Sequence, residues 1–178
     1  MSLGPPSTSR DSVMRAIARR EKRQTRLRWR LFIVLFAGVV VLDQITKTII
    51  RSTLEPGGHV EVFPGFDISR VTNDGIAFGL FPGRQTAVAV LTVVALSAIA
   101  IALAGMVRRN ATVAAGAGLL VGGSVGNLLD RLVRGGVTDF LDPVRWPAFN
   151  IADMAIVVGA AAIVIGLTKD VGDDDHGS

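Results

Sequence analysis

The sequence has 178 residues, of which 49% are hydrophobic and 19% charged, with a formal net charge of +4. A water-soluble domain usually carries about 25% charged residues, and a mean hydropathy of +0.47 excludes a disordered chain and an ordinary soluble fold. There is no cysteine and there are only two histidines, His59 and His176, which excludes disulfides, thiol chemistry and a histidine metal cluster.

Residues 1–30 are polar and basic, with nine Arg and Lys against Asp11 and Glu21. They read as a solvated, disordered cytoplasmic tail. Residues 11–30 can form a helix but show no sustained apolar stripe to bury. The basic run does not sit on a soluble domain, so no nucleic-acid partner is expected. Four apolar blocks follow. Residues 31–42 are apolar without a break, and that block continues through Asp43, Gln44 and Lys47 to residue 50. Residues 86–107 carry no charge over 22 positions and residues 111–129 none over 19, while 151–167 holds Asp153 alone. A helix needs about 20 apolar residues to cross hydrocarbon about 30 Å thick. The fold class is therefore an all-α polytopic membrane protein with four transmembrane helices. No block has the flanks of a secretory signal peptide.

Lys and Arg favour the cytoplasmic side. The basic tail and Arg108-Arg109, between the second and third spans, place both termini inside. The membrane domain is then 31–168, with outer segments 51–85 and 130–150, and 169–178 is an acidic cytoplasmic tail. Within the first outer segment, 59–63 and 66–71 alternate apolar and polar residues about Pro64-Gly65. That pattern predicts a small extracytoplasmic β-hairpin or sheet.

Ionisable groups inside a span are costly and are functional candidates by default. Asp43 and Lys47 share a face at i,i+4, either as an internal ion pair or as a pair that orients a site. Asn127, Asp130 and Arg131 share a face at the end of the third span, where Arg131 or another donor would satisfy Asp130. Asp139 lies in the second outer segment, where it is either a solvated loop carboxylate or part of a site. Asn150 and Asp153 open the fourth span, and a buried Asp153 needs a partner or a proton. With Asn73, all of these fall on the outer side, which favours an outward-facing polar site between helices.

The chemistry open to such a site is narrow. Gly122-Gly123-Ser124-Val125-Gly126 matches the G-x-S-x-G pattern of serine hydrolases, but it lies in an apolar helix with no histidine to act as base. Small residues for helix packing explain it better. Lys47 has no obvious serine partner, and carboxylates with amides alone are a poor zinc site. Two carboxylates sharing a proton can activate water against an amide. A transport protein is the rival, since intramembrane Asp and Lys also mark ion pathways. Against it, the polar groups cluster on one side and no path crosses the membrane.

Five segments, in order, carry a resemblance: Asp43-Gln44-Ile45-Thr46-Lys47, Asn73-Asp74-Gly75-Ile76-Ala77-Phe78, Gly126-Asn127-Leu128-Leu129-Asp130-Arg131, Val137-Thr138-Asp139-Phe140 and Phe149-Asn150-Ile151-Ala152-Asp153. From about residue 31 to 167 the chain resembles the lipoprotein signal peptidases, or signal peptidase II. Ile76 departs from the alanine usual in the second segment. The resemblance implies an aspartic endopeptidase of the bacterial plasma membrane. It would remove the signal peptide from diacylglyceryl-modified prolipoproteins, cutting just before the lipidated cysteine. It implies that Asp139 and Asp153 are catalytic, and that Asp43, Lys47, Asn73, Gly75, Asn127, Asp130, Arg131 and Asn150 line or brace the site. It implies no metal and no organic cofactor. The expected partners are the lipid-modified substrate, membrane lipid and a globomycin-type inhibitor, with the chain acting as a monomer.

Overall fold

The computed structural model describes residues 8–74, 85–143 and 145–175. Four helices among these are long and apolar enough to cross a membrane. They are α1 (Thr8–Thr53), α2 (Gln85–Val107), α3 (Ala111–Arg134) and α4 (Ile151–Asp175). Three strands, β1 (His59–Phe63), β2 (Phe66–Asn73) and β3 (Val137–Pro143), form one antiparallel sheet in the order β1-β2-β3.

Helix α1 corrects the expectation of a disordered tail over residues 8–30, because it is continuous from Thr8 for 46 residues; residues 1–7 lie outside the described residues. At 1.5 Å per residue it is about 70 Å long, more than twice the hydrocarbon thickness. No Gly or Pro interrupts the chain between Thr8 and Ala37, and Arg, Lys, Ala, Glu and Gln dominate the basic stretch. Those residues favour helix, and a helix already nucleated in the span extends at little further cost. The side chains over 11–24 are exposed. The end opposite the sheet is tied where the Arg28 guanidinium donates to the Arg108 carbonyl at 2.6 Å.

Helix α3 packs against each of the other three helices. Its glycines explain how. A Cβ on Gly122 would come within 2.9 Å of the Phe36 carbonyl oxygen on α1, and one on Gly123 would run into the Ala152 carbonyl oxygen on α4. The G-x-S-x-G match is thus a helix-packing feature, as small residues in membrane helices commonly are. Helix α2 is apolar on all sides, and Leu91, Val94 and Ile101 are exposed, which suits a lipid-facing element. The Asn110 side chain caps α3 by accepting from the Thr112 and Val113 amides at 2.8 and 3.1 Å, while its Nδ2 donates to the Gly166 carbonyl at 3.0 Å. Gly135, at φ 79°, ends the helix with its amide on the Arg131 carbonyl.

The hairpin forms where the alternation predicts it, with Phe63 opposite Phe66 and Gly65 at φ 93°. Its second strand runs on to Asn73. Strand β3 was not expected, since the sequence reads 130–150 only as an outer segment. It pairs with β2 so that Asp139 lies opposite Val71 and Val137 opposite Asn73. Beyond Pro143 the chain turns back. The Phe140 and Leu141 amides donate to the Phe149 carbonyl at 3.0 and 2.9 Å, and the Phe149 amide donates to the Leu141 carbonyl at 2.9 Å.

Candidate active site

The ionisable residues of the spans gather near the sheet end and separate into two groups. In the first, Lys47 is fully buried, with its Nζ 2.9 Å from Asp43 Oδ2 and 3.2 Å from Asp130 Oδ2. The i,i+4 pair expected on α1 is present, but Lys47 also crosses to α3. The other oxygen of Asp130 meets Arg134 at 3.1 Å and Arg51 at 3.5 Å. Its Oδ2 also accepts from the Thr138 amide at 3.2 Å. Asp43 Oδ1 accepts from the Ala152 amide at 3.1 Å, so it caps α4 from another helix. Gln44 spans the seam, donating to Asp43 Oδ2 and the Gly126 carbonyl, both at 3.2 Å. Here two carboxylates face three cations in one network of ion pairs.

The second group holds Asp139 and Asp153. Asp139 is 2% exposed on β3, so it is not a solvated loop carboxylate. Its oxygens accept from Asn150 Nδ2 at 2.6 Å and Asn73 Nδ2 at 3.0 Å. Burial pushes its carboxyl up to about 6, and the nearby Asp153 charge adds to this, while the Asn73 and Asn150 amides and Lys47 pull the other way. Asp153 stands in the first turn of α4, half-buried. Its amide donates to Asn150 Oδ1 at 2.9 Å, and its Oδ2 accepts from the Asn150 amide at 3.3 Å. This is a reciprocal helix cap. Its Oδ1 accepts from Asn127 Nδ2 at 2.8 Å. The Asn150 side chain therefore touches both aspartates.

Most of the residues singled out from the sequence meet here: Asp43, Lys47, Asn73, Asn127, Asp130, Asp139, Asn150 and Asp153. Arg131 donates to the Asn127 carbonyl at 3.4 Å and lines the cleft, whereas Asp130 is met by Lys47, Arg51 and Arg134. Gly75 lies outside the described residues. Sequence reasoning missed Gln44, Arg51, Arg134 and Thr138. Arg134 stands at i,i+4 from Asp130, a spacing that could have found it. Gln44, an amide beside Asp43 in an apolar helix, carried a similar signal.

A cleft of about 1110 Å³ opens beside the two aspartates. Asn73, Asn127, Arg131, Asp139 and Asp153 form its polar wall. Thr92, Val157 and Val158 continue it between α2 and α4 into the span region. Such a site can hold a peptide at the polar wall and an apolar chain below it. The sequence profile described as Signal peptidase (SPase) II matches residues 35–169.

The chain belongs to the signal peptidase II family.

Members similar to it include lipoprotein signal peptidases of Halothermothrix orenii, 37% identical over 76% of this chain and 94% of that one, and of Staphylococcus aureus strain RF122, 35% identical over 78% and 88%. Among solved structures, a bacterial membrane enzyme determined by the in meso method at 2.3 Å is 34% identical, covers 80% of this chain and 90% of its own, and superposes with a TM-score of 0.69. A second, at 1.9 Å, gives 0.66 at 34% identity over 78% and 93%. Within the family this chain is a multi-pass membrane peptidase, a hydrolase of peptide bonds.

Proposed function

We propose that this peptidase removes the signal peptide from diacylglyceryl-modified prolipoproteins, just before the lipidated cysteine, with Asp139 and Asp153 as its catalytic pair. The observation that carries this is the contrast between the acids. Asp43 and Asp130 are clamped by cations, whereas Asp139 and Asp153 face the cleft and are joined through Asn150. Acids tied up in ion pairs away from the cleft cannot serve a substrate bound there, while two acids on one cleft can hold a proton between them.

We assign Asp139, whose burial raises its proton affinity, as the acid and Asp153 as the base. Asp153 takes a proton from a water held between the two, and the hydroxide attacks the scissile carbonyl. Asp139 protonates the carbonyl oxygen, giving a gem-diol. The proton on Asp153 then passes to the leaving nitrogen, and a diol proton returns to Asp139 as the C–N bond breaks. The products are a signal peptide with a new carboxylate and a lipidated cysteine with a free amine. Water is the only co-reactant. The acyl chains of the substrate would lie along Thr92, Val157 and Val158, and globomycin would compete for the same cleft.

Cleavage of a lipid-modified prolipoprotein peptide by the purified protein is the test. The unlipidated peptide should be cut far more slowly, and equal rates would sink the substrate assignment. The pH profile of kcat/KM should be bell-shaped, with its basic limb set by loss of the shared proton. Substrate that excludes water disfavours the charged pair further, so the basic limb of kcat should lie higher than that of kcat/KM.

We place the protein in the bacterial plasma membrane, as its family implies, and the basic residues at the end opposite the sheet, including Arg108 and Arg109, support both termini being cytoplasmic. The sheet and the cleft then face outward. A reporter inserted after Gly57, in the turn before β1, should be exported, and one fused after Ser178 should stay inside. The reverse result would invert the topology.

A further inference from the structure

We propose that Lys47 is a positioning residue for the catalytic pair, acting through Asn127. This rests on the assignment of Asp139 and Asp153 above. The argument is one of hydrogen-bond polarity. An ammonium only donates, so the Asn127 atom 2.8 Å from Lys47 Nζ must be the amide oxygen. The Asn127 Nδ2 is then turned to Asp153 Oδ1, 2.8 Å away. Asn150 is fixed in the same sense. Its Oδ1 accepts from the Asp153 amide, so its Nδ2 donates to Asp139 Oδ1 at 2.6 Å and to Asn127 Oδ1 at 3.2 Å.

Without the ammonium, Asn127 Oδ1 keeps only the longer 3.2 Å bond from Asn150 Nδ2, and its donor is held on Asp153 less firmly. The opposite rotamer would set an amide oxygen against the carboxylate. The cation thus fixes the direction of a donor chain that ends on the base, without touching substrate itself.

The test must remove the cation without leaving an unpaired buried charge. Asp43→Asn provides the background, since an amide there still accepts from the Ala152 amide. Adding Lys47→Met returns the net charge of the cluster to that of the parent, and Asp130 retains Arg51 and Arg134. Relative to Asp43→Asn alone, the pair should fold normally, with KM for the lipid-modified peptide within about threefold and kcat lower by about 30- to 100-fold. Asn127→Ala on the same background should cost as much, and combining it with Lys47→Met should cost no more. A kcat for the pair within threefold of its background, or losses that multiply, would overturn the proposal.

Should the Lys47 variant not fold, Asn127→Asp decides the matter. It keeps an oxygen for Lys47 and offers no donor to Asp153, so kcat should fall at constant KM, and a near-parent kcat would overturn the proposal. If Asp139→Asn and Asp153→Asn fail to abolish cleavage, the catalytic assignment itself is wrong. If they abolish it while the Lys47 variants stay active, only the role of Lys47 is lost.

Discussion

Asp139→Asn and Asp153→Asn should each reduce cleavage by about 10⁴-fold or more while the protein still inserts, and the double variant should be no worse than either single one. One proton and one charge are both required, and an amide supplies neither a base nor a transferable proton. Asp139→Asn should also raise stability at neutral pH. The folded protein holds the Asp139 proton up to about 6, against 3.8 for a free aspartate side chain. The folded state thus binds this proton more tightly than the unfolded chain does, and the ionised carboxylate weakens the fold. That cost is absent below about pH 4, develops between 4 and 6, and is complete above about 6. A shift near two units is worth at most about 3 kcal/mol. The replacing amide forfeits one of the bonds from Asn73 and Asn150, leaving a gain of about 1–2 kcal/mol. Thermal unfolding at pH 7.5 and at pH 4 measures it. A gain of equal size at both pH values would refute the ionisation argument, and cleavage by folded Asp139→Asn near the parent rate would refute the dyad.

The second large effect is on folding. Asp130→Asn removes the carboxylate shared by Lys47, Arg51 and Arg134 and leaves three cations with Asp43 alone. Breaking a buried pair from one side typically costs about 3–5 kcal/mol, because the partner stays buried without its counter-charge. The loss should appear as a low yield of folded protein and a lower unfolding temperature, with the turnover of the folded fraction much less affected. Adding Lys47→Met should restore part of the yield. An unfolding temperature within two degrees of the parent would show that these charges are hydrated after all. Asp43→Asn should be milder, since Lys47 then keeps Asp130.

The spans were legible because lipid leaves a chain few choices: about 20 apolar residues make a helix there. The Asp43–Lys47 contact was legible because helical spacing alone brings the two together. The continuation of α1 back to Thr8 was not, because a helix with no face to bury leaves no periodic pattern. Strand β3 was hidden for a different reason. Its partners lie on β2, more than sixty residues away, and Val137-Thr138-Asp139-Phe140 is too short an alternation to declare itself. The same non-locality concealed Thr138 and Arg51, whose roles depend on β3 meeting the end of α1. The bond between Asn150 and Asp153 was within reach. An Asn three residues before an acid, at the entry to an apolar run, is a capping signature.

The turn between β3 and α4 has a consequence for how members of this lineage can diverge. Trp146, Pro147 and Ala148 border the cleft, yet the main-chain bonds between Phe140, Leu141 and Phe149 close the turn at its base. Asp139 precedes that closure and Asp153 follows it. The tip can therefore change in length or bulk without shifting either acid. Evolution, or an engineer, has here a place to retune which prolipoproteins are accepted while leaving the rate of bond breaking alone.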